Sequence, residues 1–210
     1  MFGTRRGSFI GLMFIGALAT WLLLAGPARV FGVDTGNAGV VLLVLVGWGA
    51  LYLVSRIPDG GLGESMSRGE WRAWLGCAFT FVIGVYSLVH APAFQGPPLM
   101  HNPDANHVGR NVVMMLVSWM ILAHVLDQRW RGAVLEDERD REIAARATGW
   151  ARLTLVVLAI AMAVLLSFSP AERLAWAPPP MIGHLLVVGL IASCVVEYAV
   201  TALSYWRDRH

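Results

Sequence analysis

Residues 151–168 read ARLTLVVLAIAMAVLLSF, an apolar run whose single charge, Arg152, stands at its edge. A helix rises about 1.5 Å per residue, so such a run matches a bilayer's hydrocarbon core of roughly 30 Å. The segment just before it, LEDERDREIAARA at 135–147, has the opposite character: densely charged, without Gly or Pro, and read as a helix that continues into the apolar run. That border between charged and apolar sequence is what a membrane surface imposes on a helix. Working outward, the same alternation predicts six spans, at 8–25, 39–55, 74–90, 111–126, 151–168 and 182–205. The expected fold is a single all-α domain over residues 1–210, a polytopic six-transmembrane-helix bundle.

Composition agrees. Hydrophobic residues make up 57% of the 210 and charged residues 14%, with mean hydropathy +0.60. Soluble domains carry roughly a quarter charged residues, so a soluble enzyme is excluded. All 16 basic residues are Arg. No basic face interleaved with aromatics accompanies them, which argues against nucleic acid as a partner. Thirteen Arg fall at the N-terminus, the second and fourth loops and the C-terminus, and three (Arg29, Arg110, Arg173) on the other side. Arg in short loops stays on the cytoplasmic side, so both termini are expected in the cytoplasm. Trp21, Trp74, Trp130, Trp150 and Trp206 near span ends fit an interfacial aromatic belt.

Arg5-Arg6 before an apolar stretch also resembles a signal peptide, but that stretch is longer than the usual 7–15 residues, and an uncleaved first helix is expected. Cys77 and Cys194 lie inside apolar runs without metal-type spacing and read as small core residues. Even-numbered spans share short strings: Val46-Gly47-Trp48 beside Val117-Ser118-Trp119, and Trp130-Arg131 beside Trp206-Arg207. A parallel duplication of hairpins accounts for them, as does shared composition.

In the charged segment, Asp137 with Arg141 and Glu142 with Arg146 are i, i+4 pairs with the acid on the favourable N-terminal side. Glu136, Asp137, Glu138, Arg139, Asp140 and Arg141 form either a self-paired solvated helix or the contact surface for a cytoplasmic partner. Asp137-Glu138-Arg139-Asp140, with Ile143, Arg146 and Ala147, resembles a D-E-R-D-x-x-I-x-x-[RK]-A motif found between transmembrane hairpins in families of small bacterial integral membrane proteins. The resemblance implies residence in the bacterial inner membrane and brings no catalytic residues.

Ionisable groups at membrane depth mark functional sites. Glu197 with Tyr198 in the sixth span, and His124 with Asp127 on one face of the fourth, are the candidates for a proton or cation path. The alternative for Glu197 is an acceptor that ties helices together, with Tyr52 or Trp48 as donor. The predicted topology gathers His90, His101, His107 and His184 on the outer side, with Met100, Asp104, Glu172 and Met181 nearby. Imidazole and thioether suit Cu or Zn, and His90 with His184 across the bundle would suit haem b. The loop between spans three and four holds four prolines at 92–103 and is expected to be stiff enough to fold over the outer mouth.

No Walker loop, G-x-S-x-G, H-E-x-x-H or C-x-x-C-H occurs, and Gly60-Gly61-x-Gly63 follows no strand, so it reads as a cytoplasmic link. The expected function is transport or sensing of a small solute or ion, with the outer histidines as a metal site. The alternatives are a non-catalytic scaffold subunit of a larger membrane complex and a b-type haem redox protein. The expected partners are the bilayer and either further copies of the chain or other membrane subunits.

Overall fold

A computed structural model of the chain describes residues 2–26, 29–30, 32–55, 68–130 and 138–209. Six long helices run through them: α1 (Phe2–Ala25), α2 (Thr35–Ser55), α3 (Arg68–Val89), α4 (Pro103–Trp130), α5 (Glu138–Phe168) and α6 (Pro179–Arg209). The rest is short 3-10 turns at Ala91–Gln95, Leu99–His101 and Ala171–Leu174, and a two-stranded antiparallel ribbon pairing Arg29–Val30 with Val33–Asp34. Gly32, at φ +80°, supplies the left-handed residue in the ribbon's turn. The described residues are thus all-helical apart from that ribbon and short connections. Four helical segments, Gly69–Val89, Pro103–Val125, Glu138–Phe168 and Pro179–Asp208, are long and apolar enough to cross a membrane; the apolar stretches Gly11–Ala25 and Thr35–Ala50 are shorter.

The chain divides into two compact units, Met1–Met66 with Val113–Ala133, and Ser67–Val112 with Val134–His210. In the first, α1 and α2 form an antiparallel hairpin packed backbone to backbone at small residues. A Cβ on Gly39 would lie 2.7 Å from Leu23 Cγ and 3.0 Å from the Ala19 carbonyl oxygen, so only glycine permits this approach. Asp34 caps α2, its Oδ1 accepting from the Asn37 N–H at 2.9 Å.

In the second unit α6 is central, with α3 and α5 packed against it. The buried residues of α3 (Glu70, Ala73, Gly76, Phe79, Thr80, Ile83, Tyr86 and Ser87) fall on one face at steps of three and four, the stripe of an amphipathic helix. On α5 only the charged half contributes buried positions, Ile143, Ala147 and Ala151, each one turn apart; its apolar half is exposed around most of its circumference. That distribution suits a helix whose apolar half meets lipid rather than water.

The helices outrun the predicted spans. α5 and α6 have 31 residues each, about 46 Å of rise, against roughly 30 Å of hydrocarbon. The charged segment from Glu138 onward is continuous with the apolar run, as its composition suggests. Glu136, Asp137 and the Gly60–Gly63 cluster lie outside the described residues.

Candidate functional site

Polar side chains concentrate at the end of the second unit where α3 stops and α4 and α6 begin. Asn102 and Pro103 start α4: Asn102 is the N-cap, its Oδ1 accepting from the Ala105 N–H at 3.0 Å, and Pro103 takes the first helical position. The same side chain turns its Nδ2 to the Ala93 carbonyl at 2.8 Å, fixing the 3-10 turn that follows α3. A Cβ on Gly96 would sit 2.8 Å from that Nδ2, so glycine there keeps the tether open. The turn packs against α6 and buries Phe94 on the imidazole of His184, rings parallel to within 13° at 3.9 Å. The proline-rich loop therefore folds back onto the helices through Phe94.

His184 is buried, and its Nε2 lies 3.0 Å from the Ser87 carbonyl oxygen. A carbonyl only accepts, so Nε2 carries the proton, and Nδ1 of the neutral ring holds a lone pair. His90 is held the same way from the other nitrogen: Nδ1 lies 3.0 Å from the Tyr86 carbonyl oxygen, which leaves the lone pair on Nε2. Its ring sits 4.4 Å from that of Tyr86. The Tyr86 hydroxyl accepts from Asn111 Nδ2 at 3.1 Å. Asn111 and Ser87 are both 0% exposed, and Asn111 Oδ1 and Ser87 Oγ have no hydrogen-bond partner among the described residues. Buried polar atoms are nearly always paired, so two unmet atoms mark this end as one place to look for a ligand.

The other predicted outer residues do not join this cluster as metal ligands. His101, Asp104 and Glu172 are exposed, Met100 is 94% exposed, His107 is half-buried in the first turns of α4, and Met181 is buried in α6. Among the described residues no group of three or more His, Cys, Asp or Glu is placed to hold a metal ion. His90 and His184 turn to backbone carbonyls and His101 to solvent, so among the described residues the expected Cu or Zn set is not brought together. The haem pairing meets a related obstacle: the Nε2 of His184, the less hindered ring nitrogen, is occupied by Ser87, and Phe94 covers the ring face.

At the opposite end of the unit, α3 and α5 begin and α6 ends. Tyr205 donates its hydroxyl to Asp140 Oδ1 at 2.8 Å, Arg139 pairs with Asp208 at 3.2 Å, and Thr148 donates to Glu197 Oε1 at 3.2 Å. Glu197 accepts from Thr148 of α5, where the sequence suggested Tyr52 or Trp48 as donor. Thr148 stands between Arg146 and Arg152, so Glu197 is level with the charged-to-apolar border of α5. Tyr198 beside it is half-buried. Glu138 and Arg141 are exposed, and of the two predicted i, i+4 pairs Glu142–Arg146 forms at 3.1 Å, while Asp137 lies outside the described residues. His124 is exposed on the part of α4 that belongs to the first unit, and the side chain of Asp127 lies outside those described.

Sequence reasoning passed over Tyr86, Ser87, Phe94 and Asn111. A signal was there: Ala105, Val108, Val112, Met115, Trp119 and Leu122 form a buried stripe at spacings of three and four, and Asn111 is a polar residue within it. Glu70, 2% exposed in the first turn of α3, was missed in the same way. No protein-family model, no curated protein and no solved structure matches the chain.

Proposed function

We propose that the chain is a six-span protein of the bacterial inner membrane, with both termini cytoplasmic, that transports a small solute or ion through the polar end of its second unit. The reading rests on one observation: Ser87 and Asn111 are wholly buried among apolar helices with polar atoms unmet, beside a buried histidine held in one tautomer. Polar groups inside membrane helices are costly and are kept where they serve a path or a ligand. Glu197, level with Arg146 and Arg152, then belongs to the headgroup layer and ties α5 to α6 rather than carrying charge across the bilayer. The Arg distribution and the D-E-R-D resemblance support the orientation and the compartment.

The test is flux into vesicles reconstituted with purified protein, screened with protons, monovalent cations and small neutral solutes. Flux of at least one class above that of empty vesicles, lost in His184→Leu protein that still elutes as a folded species, is the expected result. No flux of any class from folded protein overturns the reading.

The scaffold reading draws on a different observation, the exposed Glu138, Arg141 and Glu142 at the start of α5. It predicts a stoichiometric membrane partner in mild detergent extracts that is lost when those charges are reversed.

A further inference from the structure

The unmet atoms at the His184 end share a chemistry. Asn111 Oδ1 is an acceptor and Ser87 Oγ an acceptor that also has a proton to give; the lone pair left on His184 Nδ1 is of the same kind. Rotating the Asn111 amide would hand its oxygen to the Tyr86 hydroxyl and leave Nδ2 as one donor, with the other acceptors unchanged. The demand is therefore for a molecule rich in hydrogen-bond donors. The charged side chains of this end, Asp104, Arg110, Glu172 and Arg173, are all exposed, so among the described residues no ionised group is buried there to neutralise a bound ion. An ion taken out of water without an opposite charge is penalised far more than a neutral polar group that finds hydrogen bonds.

We infer that the solute recognised at Ser87, Asn111 and His184 is a small uncharged hydrogen-bond donor of amide or polyol type, and not an ion. The inference rests on the transport reading above and narrows its substrate class. Asn111 is the discriminating residue, and Tyr86 is a positioning residue that orients the Asn111 amide.

The experiment is stopped-flow light scattering of vesicles holding the full chain, under gradients of formamide, urea or glycerol, with proton, potassium and ammonium fluxes recorded in parallel. The expected result is solute-driven swelling several-fold faster than in empty vesicles, abolished by Asn111→Leu and reduced by Ser87→Ala. Asn111→Leu removes the unmet Oδ1 together with the Nδ2 bond to Tyr86 and keeps a similar volume, so its thermal midpoint is expected to stay close to that of the parent, which separates loss of recognition from misfolding. Flux of an ion without neutral-solute swelling leaves the transport reading standing and overturns this inference. Swelling by water alone, with all three solutes excluded, also overturns it, the unmet atoms then serving bound water. No flux of any kind overturns both.

Discussion

Asn102 holds two neighbouring segments at once. Its oxygen caps α4 and its nitrogen anchors the turn that presses Phe94 onto His184. Replacing an N-cap asparagine with alanine costs about 1 kcal/mol, and the lost tether to Ala93 adds a similar amount. Asn102→Ala is therefore expected to destabilise the protein by about 2 kcal/mol in chemical or thermal unfolding, and Asn102→Asp, which keeps the cap alone, by about half as much. Equal losses in the two variants would show that the cap contributes nothing, and an Asn102→Asp variant as stable as the parent would show the same of the tether. The Asn102-Pro103 pair was readable in principle, since an N-cap residue followed by proline is a local signal. The pairing of Asn111 with Tyr86 was not, because 25 residues separate them and each is ordinary in its own neighbourhood. The histidines misled for the same reason: their types suggested metal, whereas backbone carbonyls one turn away or on another helix decided what their nitrogens do.

At the scale of elements, the polar contacts between α5 and α6 keep step. From Asp140 to Thr148 is eight residues along α5, and from Tyr205 back to Glu197 is eight along α6. Equal steps in opposite directions are the signature of two antiparallel helices held in one register. Gly69 of α3 closes the same end: a Cβ there would lie 2.9 Å from the Tyr205 hydroxyl. Gly69→Val is thus expected to push Tyr205 off Asp140 and cost about 1–3 kcal/mol, with Tyr205→Phe costing about 1 kcal/mol for the hydrogen bond alone. Arg139→Ala, which removes a largely exposed pair, is expected to fall within about 1 kcal/mol of the parent. Unfolding midpoints of the three variants check the order; a larger loss for Arg139→Ala than for Gly69→Val would contradict it. The sequence revealed the charged helix and its own i, i+4 pair. It could not reveal that the last turns of α6 run alongside that helix, so Glu197 read as lying deeper than its register with Thr148 places it.

For the whole molecule, the apolar runs and the Arg distribution made the helical class and the proposed orientation legible, since both depend on composition over whole segments. The division into two units was not legible, because α4 begins in one and ends in the other without any linker to mark the change. Orientation has a direct check. With the free Cys77 and Cys194 replaced by alanine, Met100→Cys is expected to react with a membrane-impermeant maleimide on intact spheroplasts, and Glu138→Cys only after permeabilisation. The reverse pattern would invert the topology, and labelling of both on intact cells would break the predicted span count.

The packing of α3 on α6 also sets a timetable for synthesis. Arg68–Val89 leaves the ribosome about ninety residues before Pro179–Arg209, the helix that covers it. At translation rates of about 5–20 residues per second, α3 waits several seconds with the Ser87 carbonyl and its own packing face still uncovered. α6 is thus the helix that completes the unit, and a chain that stops short of residue 179 would leave α3 with that face open.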